Sequence, residues 1–523
     1  MSLLAAASQA ANINAFPTPS FEYAYLSPIL IVFAAAVFGV LVEAAAPRAW
    51  RRPAQLTIAF VGLVASLVAV VALSGTKVIA AQGSVAVDGP TLFMQGTILV
   101  LAFVAFLLFA ERTIDPGRDA FAPAGSTLPG SNDEQSFTAM GVTQTEVYPL
   151  AMFAVGGMLI FPASNDLLTM FVALEVLSLP LYLLCALARR RRLLSQEAAL
   201  KYFLLGAYSS AFFLFGAAML YGYSGSLDFA QIAAATGSAT TNDVYLMIGT
   251  ALVAVGLLFK IGAAPFHQWT PDVYQGAPTP VTAFMASCTK VAAFGALMRI
   301  LYVALGGIRW DWRPMMAGIA ILTMVVGVVL ALTQTDMKRM LAYSSIANAG
   351  FILTGVVATN AQGLAGVLFY LLVYGFATIG AFGVITLVRD AGGEATHLSQ
   401  WAGLGKRSPL VATAFAIFLL ALAGIPLTSG FIGKFAVFSA AVAGGEALLA
   451  IVGVLASAVA AFFYIRVVVL MFFSDPAPDG PTVALPSIFT TAALGIGVTV
   501  TIVLGLFPGP VLDLADQASI FVR

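Results

Sequence analysis

The chain of 523 residues carries 24 basic and 24 acidic side chains, 9% of its length, against 60% hydrophobic residues and a mean hydropathy of +0.98. Soluble proteins use about 25% charged residues, so water-soluble folds are excluded and the composition belongs to the membrane class. Two cysteines, Cys185 and Cys288, cannot build a disulfide framework, a zinc site or an iron–sulfur cluster, and zero net charge offers no face to nucleic acid.

A helix needs about 20 mostly apolar residues to cross a hydrocarbon core of about 30 Å. Such runs occur 14 times, at roughly 25–45, 54–74, 91–110, 147–164, 167–188, 198–222, 244–266, 280–305, 314–334, 339–359, 363–388, 409–438, 447–473 and 486–508. The first basic residue, Arg48, follows the first run, so the N-terminus reads as mature membrane protein rather than a secretory signal. With the N-terminus outside, the connections expected inside hold fourteen basic residues between Arg48 and Arg407, including Arg189 to Arg192. Those expected outside hold Lys77, Arg309, Arg313 and Arg523. The positive-inside rule therefore predicts an even number of spans with both termini outside. The longest connection, 111–146, is rich in Pro, Gly and small polar residues and reads as a flexible cytoplasmic loop.

Six basic residues and the acid Glu175 fall within spans, where each is costly unless paired or able to reach water. Glu175, in DLLTMFVALEVLSLPLYLLCALARRRR, stands nine residues after Asp166 and fourteen before Arg189, near the midplane. Beside a lysine it can exchange a proton; the alternative is a static helix-linking pair. Lys201 follows Glu197 by four residues at a span end, which an i,i+4 pair and snorkelling explain, a proton relay being the alternative. Lys260 stands five residues before Pro265, which breaks the helix and frees carbonyls that lipid cannot satisfy. Lys290, in AFMASCTKVAAFGALM, has apolar or small neighbours and no route to the interface. Arg299 and Arg466 lie near span ends and read as snorkelling side chains. Lys434 is the single charge between Pro409 and Gly445, a run too long to cross as one straight helix. The segment AGIPLTSGFIGKF supplies its break, with Gly424, Pro426, Ser429, Gly430 and Gly433.

The two broken, lysine-bearing spans, seventh and twelfth, are five apart and so cross in opposite directions, the signature of an inverted repeat. The predicted architecture is an all-α polytopic membrane protein of about 14 transmembrane helices. It comprises an N-terminal three-helix segment (1–110), the loop (111–146), two inverted five-helix repeats (147–305 and 306–474), each with a broken helix, and a C-terminal span and tail (475–523).

Broken helices at corresponding positions point to an ion path at the midplane. A buried ammonium, stripped of water, releases its proton far more readily than one in solution, and a nearby carboxylate opposes that release. Glu175, Lys260, Lys290 and Lys434 are therefore candidates for proton translocation, with water bridging the lysines and Glu175 loading or unloading Lys260. His267, in PFHQW, is either a relay or a capping group. His397 has no convergent partner, and two histidines 130 residues apart leave no metal site. No G-x-x-x-x-G-K-[ST] motif is present, so the driving force must come from an ion gradient or a partner subunit.

The stretch LLFKIGAAPFHQWTPDVYQGAPTPVTAFMASCTKVAAFGALMRILY, Leu257 to Tyr302, resembles the antiporter-like membrane subunits of respiratory complex I. Its TPDVYQGAPTPVTAFM portion is particularly similar to the N-subunit family of NADH-quinone oxidoreductase. FVALEVLSLPLYLL around Glu175, DMKRMLAYSSIANAGFILTG from Asp336 to Gly355, and LAGIPLTSGFIGKF ending at Phe435 extend the resemblance over about residues 150 to 470. It implies 14 helices in two inverted repeats, Glu175 as the carboxylate partner, Lys260 as the seventh-span lysine, Lys290 as the central one and Lys434 as the exit-side one. His267 resembles the histidine after the first kink. It further implies a non-redox subunit of a proton-translocating NADH:quinone oxidoreductase in the bacterial plasma (inner) membrane. The partners implied are other membrane-arm subunits, lipid, protons and water. This chain would hold no cofactor, flavin, iron–sulfur clusters and quinone lying in partner subunits. A cation/proton antiporter subunit is the alternative, and an inert scaffold a third reading. TPDVYQGAPTP favours the first over the second, and the midplane Lys290 and Glu175 argue against the third.

Overall fold

The structure, a computed structural model, describes residues 21–114, 118–237, 243–390, 392–476 and 480–522. Residues 1–20 of the predicted N-terminal segment and Arg523, expected outside, lie outside the described residues. Among the described residues, twelve helices are long and apolar enough to cross a membrane. They are Tyr23–Ala45, Arg48–Ala72, Gly89–Phe109, Leu167–Cys185, Arg192–Ser224, Asp243–Ile261, Thr279–Ala304, Gly306–Leu332, Met337–Val357, Ala361–Leu387, Ala447–Phe473 and Ile488–Leu506. Three shorter apolar helices, Val147–Ala163, Pro409–Ala423 and Ser429–Ala443, occupy the remaining predicted runs.

The centre of the bundle is Thr279–Ala304, whose apolar window is 100% buried, flanked by Met337–Val357 and Ala361–Leu387 at 94%, whereas Ile488–Leu506 at the periphery reaches 28%. Lipid offers no hydrophobic drive for helix association, so these helices meet through small residues that let backbones approach closely. Gly157 abuts the backbone of Leu177 and Gly327 that of Ala347, and a Cβ at either glycine would collide with the facing helix.

Local architecture recurs along the chain. Asp166 caps the Leu167–Cys185 helix by accepting from the Thr169 N–H, and Asp336 caps Met337–Val357 by accepting from the Arg339 N–H. From Asp166 to Asp336, Thr169 to Arg339, Gly157 to Gly327 and Leu177 to Ala347 the interval is the same 170 residues.

Short strands lie between the helices: Val78–Ala80 pairs with Val85–Val87, and Val388–Asp390 pairs with both Gly393–Glu394 and Thr482–Val483. Segments of two or three residues carry no readable alternation, which is why the sequence does not announce them. In the 111–146 connection, Ser131 caps a helix at Asn132–Ala139. This segment docks through two ion pairs, Arg192–Glu134 at 2.8 Å and Arg189–Asp119 at 3.0 Å. Among the described residues, Arg189 and Arg192 thus anchor the connection.

Glu111 clamps the end of the Gly89–Phe109 helix to the start of Ile488–Leu506. It accepts from the Ser487 N–H (2.9 Å), the Ser487 hydroxyl (2.6 Å), the Thr490 hydroxyl (2.6 Å) and the Thr113 N–H (2.6 Å). Burial opposes ionisation, but the hydrogen bonds from Ser487, Thr490 and Thr113 outweigh it and hold the carboxyl at about 2.

Two outcomes follow from this packing. Gly327→Leu will abolish accumulation of the folded chain in membranes, whereas Gly318→Leu, with nothing within 4 Å of its Cβ on the same helix, will leave it unchanged on immunoblots. Glu111→Gln will lower the melting temperature of the detergent-solubilised protein at pH 7. Because the folded carboxyl titrates below its ordinary value of 4.5, the clamp is at full strength above that pH and fades towards about pH 2. The difference between wild type and variant must therefore shrink as pH falls through that window, in thermal scans at stepped pH.

Candidate functional site

Lys260 sits in the last turn of Asp243–Ile261, 3% exposed. Gly262, at φ +78°, turns the chain out of the helix, Pro265 follows, and a half-helix resumes at Trp269–Gly276. Polar groups freed by this break find protein partners: the Trp269 indole N–H donates to the Phe259 carbonyl (2.9 Å), and the Ala264 N–H to the Thr323 hydroxyl (3.0 Å). The Lys260 ammonium donates to the Tyr202 hydroxyl (3.3 Å) and lies over the rings of Tyr202 (5.1 Å) and Tyr182 (5.6 Å). Trp269 stacks on Tyr202 at 4.6 Å, tying the break to the lysine's cage. Glu175, on the Leu167–Cys185 helix, interacts electrostatically with Lys260 and Tyr182, and its Oε1 is buried without a hydrogen-bond partner.

Lys290 is 4% exposed and follows a π-helical turn at Met285–Thr289, a distortion common at functional sites. Its ammonium donates to the carbonyl and to the hydroxyl of Ser345, both at 2.6 Å. The Tyr374 hydroxyl donates to the same Ser345 oxygen at 2.8 Å, and its ring lies 5.2 Å from the ammonium. Polar groups continue along the Met337–Val357 helix. Asn348 donates to the Ser344 carbonyl (2.9 Å) and accepts from the Tyr370 hydroxyl (2.8 Å), and the Ser344 hydroxyl meets that of Tyr464.

The second break separates Pro409–Ala423 from Ser429–Ala443. Gly424 has φ +81°, and a Cβ there would stand 2.7 Å from Lys434 Cδ, so glycine supplies both the turn and the space. Lys434, 4% exposed, donates to the carbonyls of Leu422 (3.0 Å) and Ala423 (2.8 Å) and to the Ser457 hydroxyl (2.9 Å), under the Phe351 ring at 4.6 Å. The open carbonyls of a helix C-terminus are the negative end of its dipole and suit a cation. Pro426 is exposed at the turn.

The Met337–Val357 helix thus contacts both Lys290, through Ser345, and Lys434, through Phe351. Tyr370, bonded to Asn348, packs against the backbone of Gly433 in the Lys434 half-helix. Among the described residues, no hydrogen bond joins one of these lysines to another or to Glu175.

His267 is half-buried in the first break, and its Nδ1 has no partner. Lys201 makes the expected pair with Glu197 (2.7 Å) and an unexpected one with Asp272 (2.8 Å), which also holds Arg339 (2.7 Å). Arg466 is exposed. Arg299 departs from the snorkelling expected of it, being 0% exposed. It pairs with both oxygens of Asp88 (2.7 and 2.9 Å) and donates to the Thr91 hydroxyl (2.6 Å) and the Pro162 carbonyl (2.7 Å). Asp88 caps the Gly89–Phe109 helix within reach, so pairing replaces a path to water. Among the described residues, no three His, Cys, Asp or Glu side chains gather to hold a metal. Sequence reasoning does not single out Tyr202, Ser345, Asn348, Tyr370, Tyr374 or Ser457. The polar spacing of SSIANAG within an apolar helix is the available signal for two of them.

Residues 164–460 match the family model described as NADH:quinone oxidoreductase/Mrp antiporter, TM, which makes this an antiporter-like integral membrane protein. NADH-quinone oxidoreductase subunit N of Rhodococcus opacus is 63% identical over 526 residues, covering 97% of each chain. A chain of respiratory complex I from Thermus thermophilus with bound aureothin is 33% identical with a TM-score of 0.75, over 94% of this chain and 99% of that one. A chain of the Mrp complex from Dietzia sp., 23% identical with a TM-score of 0.78, shares the fold over 95% of this chain and 97% of its own. The chain belongs to the subunit N family of NADH-quinone oxidoreductase.

Proposed function

We propose that this chain is a proton-translocating, non-redox subunit in the membrane arm of a bacterial plasma-membrane NADH-quinone oxidoreductase. Quinone reduction in partner subunits, which would hold the flavin, iron–sulfur clusters and quinone, drives it. The twelve long helices, Val147–Ala163, and the broken pair Pro409–Ala423 and Ser429–Ala443 together make 14 crossings. The 170-residue recurrence of caps and glycine contacts supports two repeats, inverted because an odd number of crossings separates them. Arg189 to Arg192 then face the cytoplasm and both termini the outside.

One observation carries the mechanism. Three lysines, each at most 4% exposed, are held directly only by neutral oxygens and aromatic faces: Tyr202 for Lys260, Ser345 for Lys290, and Leu422, Ala423 and Ser457 for Lys434. Each site has a hydroxyl, which accepts from the ammonium and can turn to donate to the lone pair of the neutral amine. Each lysine can therefore be seated in both protonation states. Movement of Glu175 relative to Lys260 loads or unloads that lysine, and protons pass by way of Lys290 and the Ser345–Asn348–Tyr370 stretch to Lys434, with water filling the gaps. His267 stands at the first break as a further relay. Lys201, bound to two carboxylates, is primarily an anchor.

Glu175→Gln and Lys260→Ala will each reduce NADH-driven proton pumping and quinone reduction by about tenfold or more in membrane vesicles, with the complex assembled on native gels. Lys201→Ala will retain most of both. Wild-type pumping in an assembled Glu175→Gln or Lys260→Ala complex would overturn the role of that residue.

A further inference from the structure

We infer that Ser345 is the positioning residue of Lys290 and that its lack of charge keeps the proton mobile there. The inference rests on the proton-translocation reading above.

The 170-residue recurrence makes Ser345 the counterpart of Glu175. Glu175 lies nine residues after the capping Asp166 and two before Leu177, which packs on Gly157. Ser345 lies nine residues after the capping Asp336 and two before Ala347, which packs on Gly327. The two side chains therefore leave matching points of matching helices, and each serves a buried lysine. In one half the group is a carboxylate in electrostatic contact with Lys260. In the other it is a hydroxyl bonded to Lys290 at 2.6 Å, with the carbonyl of the same residue at the same distance and the Tyr374 hydroxyl fixing the Ser345 oxygen at 2.8 Å.

The exchange of acid for hydroxyl has a chemical consequence. A hydroxyl accepts from an ammonium and donates to an amine, so it serves Lys290 before and after proton release. An ionised carboxylate at that point would only accept, and inside a protein its attraction for the ammonium is far stronger than in water. The proton would stay. Glu175 thus presents an acid to Lys260 in one half, whereas Ser345 in the other seats Lys290 through a neutral hydroxyl.

The test uses the whole complex in membrane vesicles carrying Ser345→Thr, Ser345→Ala or Ser345→Asp, with NADH-driven proton pumping and quinone reduction measured together. Ser345→Thr keeps the hydroxyl and should pump at close to the wild-type rate. Ser345→Ala keeps only the carbonyl and should lose about threefold, the weight of one neutral hydrogen bond. Ser345→Asp should lose about tenfold or more while assembling normally. Wild-type pumping in an assembled Ser345→Asp complex would overturn the inference, as would a Thr variant no better than Ala. If Ser345→Asp does not assemble, the Thr and Ala variants decide. Glu175→Gln is measured alongside: normal pumping there sinks the translocation reading itself, whereas its loss beside a normal Ser345→Asp sinks only the role of Ser345.

Discussion

An ammonium in a dry helical core must find oxygen atoms, and in a bilayer they come from an interrupted helix or from the side chains and second carbonyl lone pairs of a neighbouring helix. Much of this structure can be understood from that constraint. Lys434 is satisfied because the chain stops being helical at Gly424 and leaves the Leu422 and Ala423 carbonyls open. Lys260 lies just before the other interruption, where Trp269 takes up the Phe259 carbonyl and stacks on the tyrosine that receives the lysine. Lys290 lies in the most enclosed helix and is met by Ser345 from its neighbour, next to a π turn. Glycine at Gly262 and Gly424 is required by positive φ, and at Gly424 also by the lysine itself.

The same constraint explains what could be read from the sequence. Long apolar runs between sparse charges mark out the helices, and Pro265, Gly424 and Pro426 mark the two breaks because their backbone restrictions are local. The depth of Glu175, Lys260, Lys290 and Lys434 follows from counting residues along each run. Their partners do not follow. Tyr, Ser and Asn are ordinary guests in apolar helices, and which of them faces a lysine depends on how helices far apart in sequence rotate against each other. Arg299 shows the limit: its partner Asp88 is 211 residues away, so position along its own helix suggests an approach to the interface that the fold does not use. Asp272 escapes notice for the opposite reason, because a carboxylate in a polar motif looks ordinary until Lys201 and Arg339 converge on it.

The 170-residue recurrence supplies the frame on which these sites differ. Capping aspartates and helix-packing glycines recur at that interval because both helix pairs start and pack in the same way. Residues that meet the lysines are free to diverge, and an acid in one half stands where a hydroxyl stands in the other. The most buried helices, Thr279–Ala304, Met337–Val357 and Ala361–Leu387, also carry Lys290, Ser345, Asn348, Tyr370 and Tyr374. A polar line placed there is shielded from lipid on all sides and so can stay polar without opening a leak at the periphery.

The most direct measurement of whether buried lysines carry the proton is NADH-driven proton uptake by vesicles containing the complex with Lys290→Met, a side chain of similar length and no charge. Loss of pumping by about tenfold or more in a fully assembled complex is the expected result. Pumping at the wild-type rate would contradict it.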